Sequence, residues 1–190
     1  TLFFPQLITD FKELYPDISF ELFEYGSIRA ANMVQEGKLD LALVNMHFYE
    51  IDKLNSFTVM NDKIVFCVSK SHPLAKCHEV TIEMIKNEPL IMYNTDSVQN
   101  ETLDTAFKRA GVNPNVILHA SQLYTIRNFI CNNLGGAFLY SSLQKNLSGT
   151  TGIPISPVIN QNIGIVWKKG SYTTDSAEKF ITYIINKYSN

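Results

Sequence analysis

The sequence has no excess of basic residues. Lys and Arg number 16 against 18 Asp and Glu, which gives a net charge of −2. A nucleic-acid-binding surface is usually clearly basic, so this composition argues against direct DNA binding by the chain. No apolar run approaches the roughly 20 residues of a membrane-spanning helix, so no membrane partner is expected.

The motifs of common catalytic and metal sites are also missing. There is no Gly-x-Ser-x-Gly elbow, no P-loop and no Gly-x-Gly-x-x-Gly, and the four histidines lack the HExxH spacing. Three cysteines, an odd number without CxxC spacing, favour a reduced cytoplasmic protein over a disulfide framework. We therefore expect neither an enzyme nor a bound metal or cofactor.

Residues 18–46 set the pattern that the rest of the chain follows. Phe20 and Leu22 lie in a β-favouring run, and Ser27 is suited to cap a helix that ends near Gly37. Residues 39–44 then form a mostly apolar run typical of a buried strand. A strand, a helix and a second strand in this order predict parallel pairing, with ligand contacts at the carboxyl ends of the strands.

The same alternation recurs along the chain and predicts an α/β fold with mainly parallel sheets. Its approximate reiteration suggests two similar lobes. The further predicted strands are 57–69 (with a turn-prone Asn61-Asp62), 90–93, 116–119, 137–140, an edge strand at 153–158, and 163–167. The predicted helices are 2–15, 80–86, one that ends at Gly111, one capped by Ser121, a short one after 141, and 175–188.

Three predicted helix starts follow strand ends directly and carry short polar side chains. They are Gly26-Ser27, the 94–99 loop and Ser121-Gln122. Free backbone N–H groups and the positive end of the helix dipole favour polar or anionic ligands there. Ser27, Ser97 and Ser121 could equally be helix caps and nothing more.

Several segments, in this order, resemble the effector-binding domain of LysR-type transcriptional regulators. They are Phe11 with Tyr15-Pro16-Asp17-Ile18, Glu21-Leu22 with Gly26, 37–42 (GKLDLA), 71–75 (SHPLA), 88–91 (EPLI), and 126–139 with Leu134-Gly135 before a strand. The resemblance covers essentially the whole chain. It departs at Asn132-Asn133, where the family usually has a small residue and glycine, and at Tyr140, where it usually has proline.

The resemblance implies a two-lobed fold like that of type 2 periplasmic binding proteins, with two crossing strands and the effector in the cleft between the lobes. Lobe I would be 1–66 plus 158–190, and lobe II 67–157. The implied contacts with a small polar metabolite are Ser27, Asn45, Met46, Tyr93, Asn94, Ser97, Gln99, Gln122, Leu123 and Tyr124.

The same resemblance implies a cytoplasmic homodimer that becomes a tetramer at full length. DNA would be bound only through an N-terminal domain that this chain lacks. By the same resemblance the chain also lacks the opening strand of lobe I. Two alternatives use the same scaffold: a solute-binding protein of a transporter, and an enzyme such as a dehydratase. The enzyme needs an acid and a base in the cleft, for which the sequence offers no candidate pair.

Overall fold

The computed structural model describes residues 3–47, 53–93, 97–170 and 174–189. The chain folds as two compact units, Thr1–Met60 with Asn162–Asn190 (unit 1) and Asn61–Gln161 (unit 2). The lobe boundaries that the resemblance implies differ slightly from these unit boundaries. The first implied boundary lies a few residues after Met60, and the second lies a few residues before Asn162.

The described part of unit 1 combines three helices with three strands. Its elements are α1 (Phe4–Leu14), α2 (Ser27–Gln35), β1 (Leu41–Asn45), the first part of β2 (Leu54–Ser69), most of β7 (Asn160–Lys168) and α6 (Asp175–Tyr188). The strand order is β1-β7-β2, and β1 runs antiparallel to β7. Gly37, at a φ of 74°, follows α2 in the left-handed conformation expected of a helix-ending glycine.

The core of unit 1 is aromatic and joins α1 to α6. Phe11 is fully buried, and its ring lies 4.8 Å from that of Phe180 and 5.8 Å from that of Phe20. Leu7 precedes Phe11 by one helical turn, so both side chains face the same side of α1. Ile184 of α6 belongs to the same cluster. Aromatic contacts of this kind bury large apolar areas and so help to hold the two helices together.

Unit 2 is built on a second group of strands flanked by helices. Its elements are the rest of β2, β3 (Leu90–Met92), α3 (Val98–Ala110), β4 (Val116–His119), α4 (Leu123–Cys131), β5 (Gly136–Tyr140), α5 (Ser141–Gln144) and β6 (Thr150–Pro154). Strand β3 is parallel to both β4 and β5, whereas β2 is antiparallel to β5 and β6.

Both faces of the unit 2 strands are covered. Phe66 and Phe138 pack on one side with α3, whereas Cys67 and Ala137 pack on the other with α4. Successive strand residues point to opposite faces, so these runs are continuously apolar. Gly136 is required by the packing: a Cβ there would lie 2.3 Å from the Phe66 ring.

The structure departs from the predicted elements in four places. Residues 18–26 form no strand within the described part of the chain. Residues 82–87 form turns instead of the helix predicted for 80–86, and Val80 forms an isolated bridge with Ile155. β2 continues through Asn61-Asp62, where the Asp62 carboxylate accepts hydrogen bonds from the amide and hydroxyl of Ser142. Among the strands that the structure describes, β3 is parallel to its two neighbours whereas β1 with β7 and β2 with β5 and β6 are antiparallel, so the sheet is mixed rather than mainly parallel.

Candidate functional site

In unit 1 the end of β1 is tied to the start of α2. The Asn45 amide donates to Ser27 Oγ at 2.9 Å, and the His47 amide donates to Asn45 Oδ1 at 2.9 Å. Ser27 is the first helical residue and Gly26 is the N-cap, with no side-chain capping bond. The prediction that Ser27 caps α2 is therefore wrong: its hydroxyl joins two elements instead. Met46 follows, and its amide donates to the Asn162 carbonyl at 2.8 Å.

In unit 2 the carboxyl ends of β3 and β5 meet the first turn of α3. Ser97 caps that helix, as predicted, because its Oγ accepts from the Asn100 amide at 3.2 Å. Asn100 Nδ2 donates to the Tyr93 carbonyl at 2.6 Å. Gln99 Nε2 donates to the Phe138 carbonyl at 2.7 Å. The predicted contact Asn94 lies outside the described residues.

Gln99 is buried, with 4% of its surface exposed, and its amide nitrogen already serves the backbone of β5. A ligand contact by Gln99 would have to use the amide oxygen or the second N–H of the amide. Tyr93 and Leu123 pack on the same apolar cluster, so the structure brings these two predicted contacts close to one another within unit 2.

The start of α4 carries the remaining predicted contacts. Gln122, not Ser121, is the N-cap, and it makes no side-chain capping bond. The prediction for Ser121 is therefore wrong by one residue. Gln122 is exposed and Tyr124 is 75% exposed, so both side chains are accessible to solvent.

The phenol of Tyr93, one of the predicted contacts, has a perturbed ionisation. Burial, with smaller contributions from Tyr140 and Cys67, raises the pKa of Tyr93 to about 12. Desolvation penalises the charged phenolate, so the group stays neutral throughout the physiological range. A neutral phenol can donate a hydrogen bond to an anionic or carbonyl oxygen of a ligand.

Neither a metal site nor a membrane span is found in the parts of the chain that the structure describes. No three His, Cys, Asp or Glu side chains there are grouped so that they could hold a metal ion. Among these residues no helix is long and apolar enough to cross a bilayer.

Solved structures place this architecture in a known class. The regulatory domain of CcmR from Synechocystis PCC6803, in complex with 2-PG, superposes with a TM-score of 0.91 at 22% identity, over 100% of this chain and 92% of that one. The effector-binding domain of QuiR, in complex with shikimate, gives 0.85 at 17% identity, over 97% and 90%. The chain is thus an α/β domain of the type 2 periplasmic-binding-protein-like fold, and the predicted fold class is confirmed.

The sequence identifies the family. The family model of the LysR substrate binding domain matches residues 1–189. An uncharacterized HTH-type transcriptional regulator of Bacillus subtilis, YwbI, is 32% identical over 184 residues, which cover 95% of this chain and 61% of the relative. This chain belongs to the LysR substrate-binding domain family, and its relatives are regulators of transcription. It spans less than two thirds of the length of the first curated relatives that it matches.

Sequence reasoning missed Asn100 and Tyr140. Asn100 is buried at 6% exposure and bonds to both Tyr93 and Ser97. Its signal was a polar residue in the first turn of a helix that follows a strand end directly. Tyr140, at the carboxyl end of β5, was noted only as a departure from the family pattern, yet it lies close enough to influence the Tyr93 phenol.

Proposed function

We propose that this chain is the effector-sensing domain of a cytoplasmic LysR-type regulator, that it is not an enzyme, and that it binds one small polar metabolite. Ser27, Asn45 and Met46 of unit 1 and the predicted contacts of unit 2 would hold that metabolite together, in the cleft that the family resemblance implies. DNA would be bound through a separate domain of the full protein, and the regulator would act as a homodimer or tetramer.

The polar end of a strand in each unit carries this proposal. In unit 1 the Ser27 hydroxyl and the Asn45 amide are already joined by a hydrogen bond at the carboxyl end of β1. In unit 2 the Tyr93 carbonyl and Ser97 hydroxyl are held by Asn100 at the carboxyl end of β3. Ligands of α/β sheets gather at such ends. The same arrangement in both units supports a ligand-binding role over an ordinary structural one.

The groups at these positions favour a polar effector of low charge. They are hydroxyl, amide and phenol groups, which bind oxygen atoms of a ligand by hydrogen bonds. The nearby arginines have other partners: the Arg29 guanidinium lies 4.4 Å from the Tyr25 ring centre, and Arg127 donates to Ser148. Because no arginine is committed to the predicted contacts, a multiply charged ligand is disfavoured.

Calorimetric titration tests the proposal. We expect one compound of low charge from a panel of small polar metabolites, starting with shikimate, to bind with one site per chain, whereas 2-PG is the multiply charged comparison and should bind more weakly. Ser27→Ala and Gln122→Ala should each weaken that binding about two- to tenfold, because each removes one hydrogen-bonding group. Ser176→Ala, an exposed change on α6, is the matched control and should leave affinity unchanged.

Two results would contradict the proposal. Binding that neither Ser27→Ala nor Gln122→Ala weakens would leave these residues with structural roles only. A full coding sequence that shows a secretion signal instead of a helix-turn-helix domain would favour a solute-binding protein of a transporter.

A further inference from the structure

Asn100 lies where α3 meets the strand end that carries three of the predicted contacts. It is 6% exposed, and its side-chain nitrogen lies 2.6 Å from the Tyr93 carbonyl oxygen. Its backbone amide lies 3.2 Å from Ser97 Oγ and 3.0 Å from the Ser97 carbonyl oxygen. One buried residue therefore holds both ends of the connection between β3 and α3.

The Tyr93 carbonyl lies just past the end of β3 and accepts a hydrogen bond from the Asn100 side chain. β3 ends at Met92, so Tyr93 lies one residue beyond the strand, and the Met92 carbonyl accepts from Ala120 on the neighbouring side. The Asn100–Tyr93 bond is partly buried, and a carbonyl shielded from water that loses its donor costs more than the bond itself contributes. Loss of the Asn100 side chain would therefore move the backbone at Tyr93 rather than leave it in place.

The neighbouring Gln99 makes the complementary bond. Its side-chain nitrogen donates to the Phe138 carbonyl of β5, within the strand. Gln99 thus fixes α3 to the sheet, whereas Asn100 fixes the backbone that leaves the sheet. The two adjacent buried amides of Gln99 and Asn100, on one helical turn, therefore have different structural roles.

We propose that Asn100 is a positioning residue of the effector site: it sets the placement of Tyr93 and Ser97 and does not itself touch the effector. This inference rests on the proposed function for its significance, but the bonds that carry it lie entirely within unit 2. The Tyr93 side chain packs against the α4-side cluster, so a shift of its backbone changes the surroundings of its phenol.

The test is an NMR measurement on protein with ring-labelled tyrosine, which needs no effector. Tyr93→Phe assigns the Tyr93 signal by removing it. Asn100→Ala should shift the Tyr93 signal and bring its titration midpoint down from about 12 towards 10, because the phenol becomes more exposed. The signals of Tyr15 and Tyr183, which belong to unit 1, should not move.

Matched variants separate positioning from general destabilisation. Asn115→Ala removes an exposed amide whose nitrogen lies 3.4 Å from the Asn87 carbonyl, and it should leave the Tyr93 signal unchanged. Asn100→Asp keeps the size of the side chain but removes its donor, so it repeats the test if Asn100→Ala does not fold. An unchanged Tyr93 signal in a folded Asn100 variant would overturn the proposal.

Titration with 2-PG and shikimate adds the functional arm. Asn100→Ala should weaken the binding of either compound that the unaltered protein binds by about tenfold, comparable to the loss of a buried hydrogen bond. Unchanged affinity in a variant whose Tyr93 signal has shifted would overturn the link to the effector. If neither compound binds the unaltered protein, the effector assignment is weakened, whereas the NMR result still decides whether Asn100 places Tyr93.

Discussion

Two segments with similar sequence patterns have different structures. Residues 18–26 and 116–119 each follow a helix and a proline, precede another helix, and were predicted as strands. The second segment is β4, paired with β3. The first has no sheet partner among the residues that the structure describes. The difference teaches that β-favouring residues make a strand only where a neighbouring backbone is available to pair with them.

The two segments are also held by different forces. β4 is fixed by backbone bonds, such as that from the Ala120 amide to the Met92 carbonyl at 2.9 Å. Residues 18–26 are held mainly by side chains, of which Phe20 is packed against Phe11 and Phe180. Changes to apolar side chains should therefore affect the first segment most, and changes to backbone pairing the second.

The largest expected effect comes from Phe11→Ala. Phe11 is fully buried and contacts Phe20, Phe180 and Tyr183. Its truncation should lower the free energy of unfolding by about 3–5 kcal/mol, through lost burial and a cavity. Urea denaturation measures this. A loss below about 1 kcal/mol would show that side-chain packing does not hold this region.

The next largest effect is a fall in the free energy of unfolding at alkaline pH, which we attribute to Tyr93 of unit 2. Burial raises the pKa of Tyr93 to about 12, above its ordinary value of 10. The unfolded chain therefore ionises first, so this contribution is complete below pH 10 and is lost as pH rises to 12. Its size is at most about 3 kcal/mol. Denaturation from pH 9 to 12 should show a shallower decline for Tyr93→Phe than for the unaltered chain.

Hydrogen exchange compares the two segments directly. We expect a peptide covering 19–25 to exchange about 100-fold faster than one covering 116–120, because only the second has sheet bonds to break. Mass spectrometry of deuterated peptides measures both in one experiment. Equal protection of the two peptides would mean that residues 18–26 have a backbone partner in solution.

Ser27→Ala tests the junction at the end of residues 18–26. It removes the hydrogen-bond acceptor of the Asn45 backbone amide, and Asn45 is a buried residue. Stability should fall by about 1 kcal/mol, the usual net value of one hydrogen bond. Thermal denaturation measures it, with Ser176→Ala as the exposed control. A larger fall in Ser176→Ala would contradict the assignment.

The smallest effect is expected for Leu22→Ser. Leu22 lies in the unpaired segment and is 61% exposed, so little burial is lost. The free energy of unfolding should change by less than about 0.5 kcal/mol. Ile117→Ser is its counterpart on β4, where the side chain is 42% exposed. A marked loss for Leu22→Ser alone would show that residues 18–26 pack against something in solution.

The sequence predicted the elements whose signals are local. Helical periodicity located α1 and α6, Gly111 ended α3 in the left-handed conformation, and Ser97 capped it. Prediction from the sequence failed where the conformation of a segment depends on residues distant in sequence. Asp62 lies in a continuous strand, and its carboxylate bonds to Ser142, eighty residues away, a contact that no local pattern contains.

The candidate site follows the same division. Strand ends and polar residues beside them can be recognised from the sequence, which is why Asn45, Tyr93 and Ser97 were singled out. The hydrogen-bond partner of each side chain cannot be recognised in this way. Ser27 bonds to the next strand instead of its own helix, and Gln99 bonds inward to Phe138. Asn100 was missed because its bonds depend on where β3 ends.

The contact between Gly136 and Phe66 has a consequence for how this sequence can vary. Every missense change of a glycine codon adds a Cβ, which at position 136 would lie 2.3 Å from a ring atom of a fully buried residue. Gly111, with open space around it, is limited only by its φ of 65° and should accept asparagine. Drift at position 136 should therefore occur only together with a smaller residue at 66, so that the two codons change as a pair across descendants of this gene.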